Sequence, residues 1–236
     1  LDVFRYQVST AQLSNLTRSG TASAAPWGPG KLEVDLSWLS LTWRQVNIVA
    51  GEPTAKQIYT VDTKTYAVVN VMPNHQINAA TLREDLRGAP RSPLVFLIAR
   101  PMNSGPLFEE NVFVYNSDTA SPIKQLSHWL HGSASVELNN LMPAANARHV
   151  AYTKGDGANE VLYVAPADAS QKPWALNGNG SYLSPAFAWS PDGAYLVFGS
   201  GNSASSRDLW RAPATGGTLT KLRSTQAQTI HIFQVR

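Results

Sequence analysis

The chain contains no cysteine. That one absence excludes disulfide staples, zinc thiolate sites and cysteine nucleophiles together. Charge is also sparse: 15% of the 236 residues are Asp, Glu, Lys or Arg, and the net charge is +3. With 43% hydrophobic residues, this is the composition of a folded chain and not of a disordered one. The 16 Gly and 15 Pro are too few for a collagen-like or low-complexity segment. No long hydrophobic run occurs. The longest, Leu94 to Ala99, has six residues, against the ~20 that a membrane-spanning helix needs, so no membrane-spanning segment is expected. The chain starts at Leu1 without Met and lacks a charged, apolar and small-residue leader. It is therefore expected to be a processed or trimmed form, with a periplasmic or extracellular location.

Three functional signatures are missing as well. The pI near 9.2 does not come with a run of adjacent Lys and Arg. Residues 1–118 hold ten basic and ten acidic groups, and residues 119–236 hold nine and six. No nucleic-acid partner is expected from so dispersed a charge. Gly28-Pro29-Gly30-Lys31 lacks the Gly-x-x-x-x-Gly-Lys-Ser/Thr spacing of a phosphate loop. There is no Gly-x-Ser-x-Gly elbow to expose a serine nucleophile.

What the sequence does have is a repeat. Five short segments place an aromatic among branched or apolar residues: Phe4, Tyr59, Phe113, Tyr163 and Trp210, separated by 55, 54, 50 and 47 positions. Each is followed 12 or 13 positions later by an aliphatic residue, Leu16, Val71, Leu126, Leu176 and Leu222. The intervening polar, Gly- or Pro-bearing stretch makes each segment a strand, a turn and a second strand. Upstream of the hairpins lie Val46 to Val49, Leu94 to Ile98, His149 to Tyr152 and Tyr195 to Phe198. These runs are rich in β-branched and aromatic residues and too short for helices, so they read as buried strands. A further strand precedes them, clearest at Ala186-Phe187-Ala188-Trp189. Four strands in about fifty residues, repeated, describe a propeller blade.

The sharpest local motif is Phe187-Ala188-Trp189-Ser190-Pro191-Asp192-Gly193-Ala194-Tyr195-Leu196-Val197-Phe198. Pro191 presets φ for a turn, Asp192 can accept a bond from the backbone beyond it, and Gly193 tolerates positive φ. The Asp is thus expected to be structural. The stretch from Ser184 to Leu222 closely resembles a blade of the TolB-like β-propeller family, whose repeat is built around a W-S-P-D-G turn followed by a D-L-W or D-L-Y strand. A second copy runs from Leu141 to Leu176, with Ala144-Ala145-Asn146 in place of the Asp-Gly turn, and Pro90 marks the same turn in the preceding unit.

The expected fold is therefore all-β: a β-propeller of five four-stranded blades forming a single domain over residues 1–236. In this reading Ile230 to Val235 and Val3 to Tyr6 share the closing blade, so that neither is left as an open edge. The competing reading makes the chain a piece of a larger propeller or multidomain protein. The resemblance implies a non-catalytic binding or scaffold propeller that presents inter-blade loops to a protein or another ligand. The alternative it also allows is an enzyme with its site in the channel, as in oligogalacturonate lyases with similar repeats, or the propeller part of a prolyl-oligopeptidase-type peptidase.

The candidate contact residues follow the closing strands of the hairpins: His75, His128, Trp129, His131 and Tyr182. Loops at equivalent places in different blades converge on one face, and a Trp flanked by two His offers stacking and hydrogen bonding. A metal reading of His128 and His131 would need a third ligand. No catalytic residue, metal or cofactor is expected. His149 and His231 lie in strand patterns, where a core or edge histidine is the ordinary outcome. Glu84-Asp85 and Glu109-Glu110 read as solvated surface.

Overall fold

A computed structural model describes residues 4–15, 40–41, 45–50, 57–65, 67–71, 86–89, 92–100, 110–119, 123–128, 137–155, 160–176, 182–203 and 206–225. Of the sequence expectations, Leu16, His75, Pro90, Trp129, His131 and the closing strand at Ile230 to Val235 lie outside these residues, as does the pairing of the two chain ends.

Among the described residues the regular structure is β, apart from one 3₁₀ turn at Val8–Thr10. The hairpin β1 (Phe4–Gln7) and β2 (Gln12–Asn15) comes first. Four four-stranded antiparallel sheets follow, each in simple sequence order. The first has β3 (Ser40–Leu41), β4 (Gln45–Ala50), β5 (Gln57–Asp62) and β6 (Val68–Asn70). The second has β7 (Arg87–Gly88), β8 (Leu94–Ala99), β9 (Asn111–Asn116) and β10 (Lys124–Gln125). The third has β11 (Glu137–Pro143), β12 (His149–Gly155), β13 (Val161–Pro166) and β14 (Trp174–Ala175). The fourth has β15 (Tyr182–Trp189), β16 (Tyr195–Ser203), β17 (Ser206–Pro213) and β18 (Thr220–Thr225). The leading strands β3, β7 and β11 of successive sheets touch one another, which is the radial arrangement of propeller blades.

The hydrophobic core lies between sheets, because both faces of an inner blade are covered by its neighbours. Ile58 and Val71 of the first sheet pack with Val95, Leu97 and Phe113 of the second. Phe96, Ile98 and Val112 meet Leu138, Val150 and Tyr152 of the third. Leu162, Val164 and Leu176 then meet Phe187, Trp189 and Phe198 of the fourth. This accounts for near-continuous burial along β8, β9 and β12, in place of the alternation of a half-exposed sheet.

One turn recurs with the repeat. Ala89, Ala144 and Ser190 each donate their N–H to the carbonyl of the first residue of the following strand, Leu94, His149 and Tyr195, at 3.0, 2.9 and 2.8 Å. A second bond closes each turn inside, from the N–H of Ser92, Ala147 and Gly193 to the carbonyl of Ala89, Ala144 and Ser190, at 3.2, 2.9 and 2.8 Å. Asp192 plays the structural part expected of it: its Oδ1 accepts from the Ala194 N–H at 3.0 Å.

Gly193 is required twice over. Its φ is +67°, and a Cβ there would stand 2.7 Å from the Asn146 side chain. That close approach lets Asn146 Nδ2 donate to the Asp192 carbonyl at 2.9 Å, tying the turn of the third sheet to that of the fourth. Gly193→Ala should therefore cost roughly 1–3 kcal/mol, the combined scale of a non-glycine residue in a strained left-handed position and a disturbed contact. A urea titration showing an unchanged midpoint would contradict this account of the turn.

A candidate binding cleft between two sheets

Because all the sheets are antiparallel, the connections between the first and second strands and between the third and fourth strands lie at one end of the strands. The connections from one sheet to the next leave from the other end. His128, which follows β10, leaves from that second end and is exposed. Tyr182 opens β15. No described contact joins the two, and the other three expected contact residues are outside the described set.

The first end carries a cavity of about 670 Å³ where the second and third sheets diverge. From the second sheet come Leu94, Val114 and Asn116, with Lys124 at the start of β10. From the third come Arg148 and His149, at the mouth of the β11–β12 turn, and Trp174, which opens β14. Asp168 and Ser170 complete the wall from the β13–β14 turn.

Local chemistry fixes these groups. Asn146 Oδ1 accepts from the Arg148 N–H at 3.0 Å, and Ala147 holds a positive φ of 57° at the position that glycine fills in the fourth sheet. The Arg148 carbonyl accepts from the Ala167 N–H at 2.9 Å, joining the two turns of the wall. The Asp168 carboxylate accepts from the Ser170 N–H at 2.9 Å, and its bonds to Ser170, side chain first, hold its pKa below the usual carboxylate value.

His149 stands between two tryptophans, edge-on to Trp174 with ring centroids 6.0 Å apart and tilted against Trp189 at 6.4 Å. Burial is the main influence on its imidazole and lowers its pKa, Asp168 opposes that effect, and Arg148 adds to it. The buried Nδ1 of His149 and the buried Nε1 of Trp174 both lack a hydrogen-bond partner. Orphaned polar atoms are uncommon in folded proteins, and here two occur in side chains that line one cavity. The strand placement of His149 agrees with the sequence, whereas its unsatisfied nitrogen and its place in a cleft were not legible there. Its position directly after a turn that replaces Pro-Asp-Gly was the available signal.

A pH dependence follows from the lowered pKa. The folded state binds a proton at His149 less readily than the unfolded chain does. The corresponding stability is thus fully present above the ordinary His pKa of about 6.5 and is lost as pH falls through the folded value. His149→Gln should flatten this acid-side decline in thermal melts. An identical decline in the variant would place its origin elsewhere.

Among the described residues no group of three His, Asp or Glu stands close enough to hold a metal ion. No family model matches the sequence, and no curated protein matches it. Solved structures do. An oligogalacturonate lyase from Vibrio parahaemolyticus matches at 11% identity with a TM-score of 0.56, over 95% of this chain and 60% of the lyase. A puromycin-hydrolyzing peptidase from Mycobacterium tuberculosis matches at 14% and 0.56, over 94% of this chain and 35% of the peptidase. TolB from Acinetobacter baumannii matches at 14% and 0.47, over 98% of this chain and 50% of TolB. The chain thus spans between about a third and three fifths of these structures. The fold is a β-propeller, as the repeat in the sequence implied.

Proposed function

We propose that this propeller is a non-catalytic binding module, working outside the cytoplasm, and that the cleft between its second and third sheets is a contact site. The observation that supports this reading is the pair of partnerless nitrogens, His149 Nδ1 and Trp174 Nε1, in side chains lining an open cavity of about 670 Å³. Ligand sites combine such an apolar, concave shape with a few polar groups. A rigid sheet scaffold suits binding, because the groups are held in place before the ligand arrives. The expected loop contacts at His75, His128, Trp129, His131 and Tyr182 form a second part of the proposal; of these, His128 and Tyr182 lie at the opposite end of the strands.

The propeller fold also serves enzymes, so fold alone does not assign a role. The test is direct. Purified chain, given oligogalacturonate with manganese and separately a chromogenic peptide series, should give no product above a blank. Turnover that is lost on substitution of a histidine would replace the binding reading with the lyase-like one.

A further inference from the structure

We infer that the cleft takes an amphiphilic anion: an apolar body carrying one carboxylate or comparable acidic head. The inference rests on the proposal that the cleft is a contact site, and it names the ligand chemistry. The inner surface is largely apolar, made by Leu94, Val114, Pro166 and the ring of Trp174. Two cations line it from opposite walls. Lys124 comes from the second sheet and Arg148 from the third, and both are exposed. Neither forms an ion pair with a described residue. Among the described residues the lining holds a single acid, Asp168, and its oxygens are engaged by Ser170 of its own turn.

The physical logic has two parts. An alkyl or aryl body gains free energy by leaving water, in proportion to the apolar area it buries. A carboxylate would lose its hydration if it were drawn fully inside, so it stops near the mouth, where a guanidinium or ammonium can bond to it and still face solvent. A cationic head would meet Lys124 and Arg148 with like charge, and a neutral head would gain no ion pairing. The sign of the head group is therefore the discriminating variable.

Decanoate is the probe, with decanol and decyltrimethylammonium as controls, all held below the concentrations at which they self-associate. Tryptophan fluorescence should change saturably with decanoate, and the change should disappear in Trp174→Phe. In the double variant Lys124→Ala/Arg148→Ala the dissociation constant should rise by about tenfold or more. Both positions are exposed, so thermal melting of this variant should match the parent and exclude misfolding. If decanol or the cation gives an equally strong signal that depends on Trp174, the anionic preference is overturned while the cleft stands as a contact site. If the double variant binds decanoate as the parent does, the two cations are not the reading head and the inference fails. If none of the three gives a Trp174-dependent signal, the inference and the contact-site proposal fail together.

Discussion

Replacing Trp189 by Ala should destabilise the protein by about 3–5 kcal/mol, the range for removing a large aromatic from a packed interior. Trp189 is 4% exposed and sits in the cluster shared by the third and fourth sheets, with Leu196, Phe198 and Leu162. Its Nε1 also donates to the Met142 carbonyl at 2.9 Å, linking the leading strands of two neighbouring sheets. Trp189→Phe keeps much of the volume and gives up that bond, at an expected cost of about 1–2 kcal/mol. Denaturant titration of the pair separates packing from hydrogen bonding. Equal losses in the two variants would mean that the indole's size contributes nothing, contrary to its burial.

The second large effect is expected at Asn47. This residue is fully buried, and its Oδ1 accepts from Thr60 Oγ1 at 2.9 Å and from Tyr115 OH at 3.0 Å. Asn47 and Thr60 belong to the first sheet and Tyr115 to the second, so one carbonyl oxygen holds together a polar node inside an apolar interface. Asn47→Ala removes the acceptor that both hydroxyls share and leaves Thr60 and Tyr115 only each other as partners, which costs about 1–3 kcal/mol. Tyr115→Phe removes a donor while Asn47 keeps its bond to Thr60, so its cost should be nearer 1 kcal/mol. A double-mutant cycle on the two positions should show strong coupling. Additive losses would show that the node does not act as a unit. Burial also pushes the Tyr115 phenol well above its ordinary pKa, so this interface should not loosen by tyrosine ionisation in mildly alkaline buffer.

Much of the fold was legible because a propeller writes its period into the chain. Val71, Leu126 and Leu176, picked out by spacing alone, are buried. Each donates its N–H to the residue preceding a register aromatic, Ile58, Val112 and Leu162, at 2.9, 2.8 and 2.9 Å. The fifth aliphatic of the series behaves differently. Leu222 is 47% exposed, because the pairing of β17 with β18 shifts between Leu209 and Trp210, and its neighbour Lys221 lies over the Trp210 ring. Spacing carries no mark of a bulge, so that departure could not be read in advance.

The cleft was hidden for a related reason. Periodicity locates strands and the turns between them, but a cleft is made by the distance between two sheets, and that depends on side chains far apart in sequence. Lys124 and Arg148 look like ordinary surface charges until the sheets bring them to one cavity. His149 was read as a strand residue and is one. What the sequence did not disclose is that Trp174, twenty-five positions later, would arrive edge-on to its ring, or that His149 Nδ1 and Trp174 Nε1 would each lack a partner.

The claim that the cleft is the contact site is tested most directly by soaking crystals of the chain with a library of small organic fragments, acids and bases included. Bound density should concentrate in the cleft beside Trp174 and His149, with acidic groups turned toward Lys124 and Arg148. A library whose hits gather instead around His128 at the opposite end of the strands, and leave the His149 cleft without density, would contradict the account.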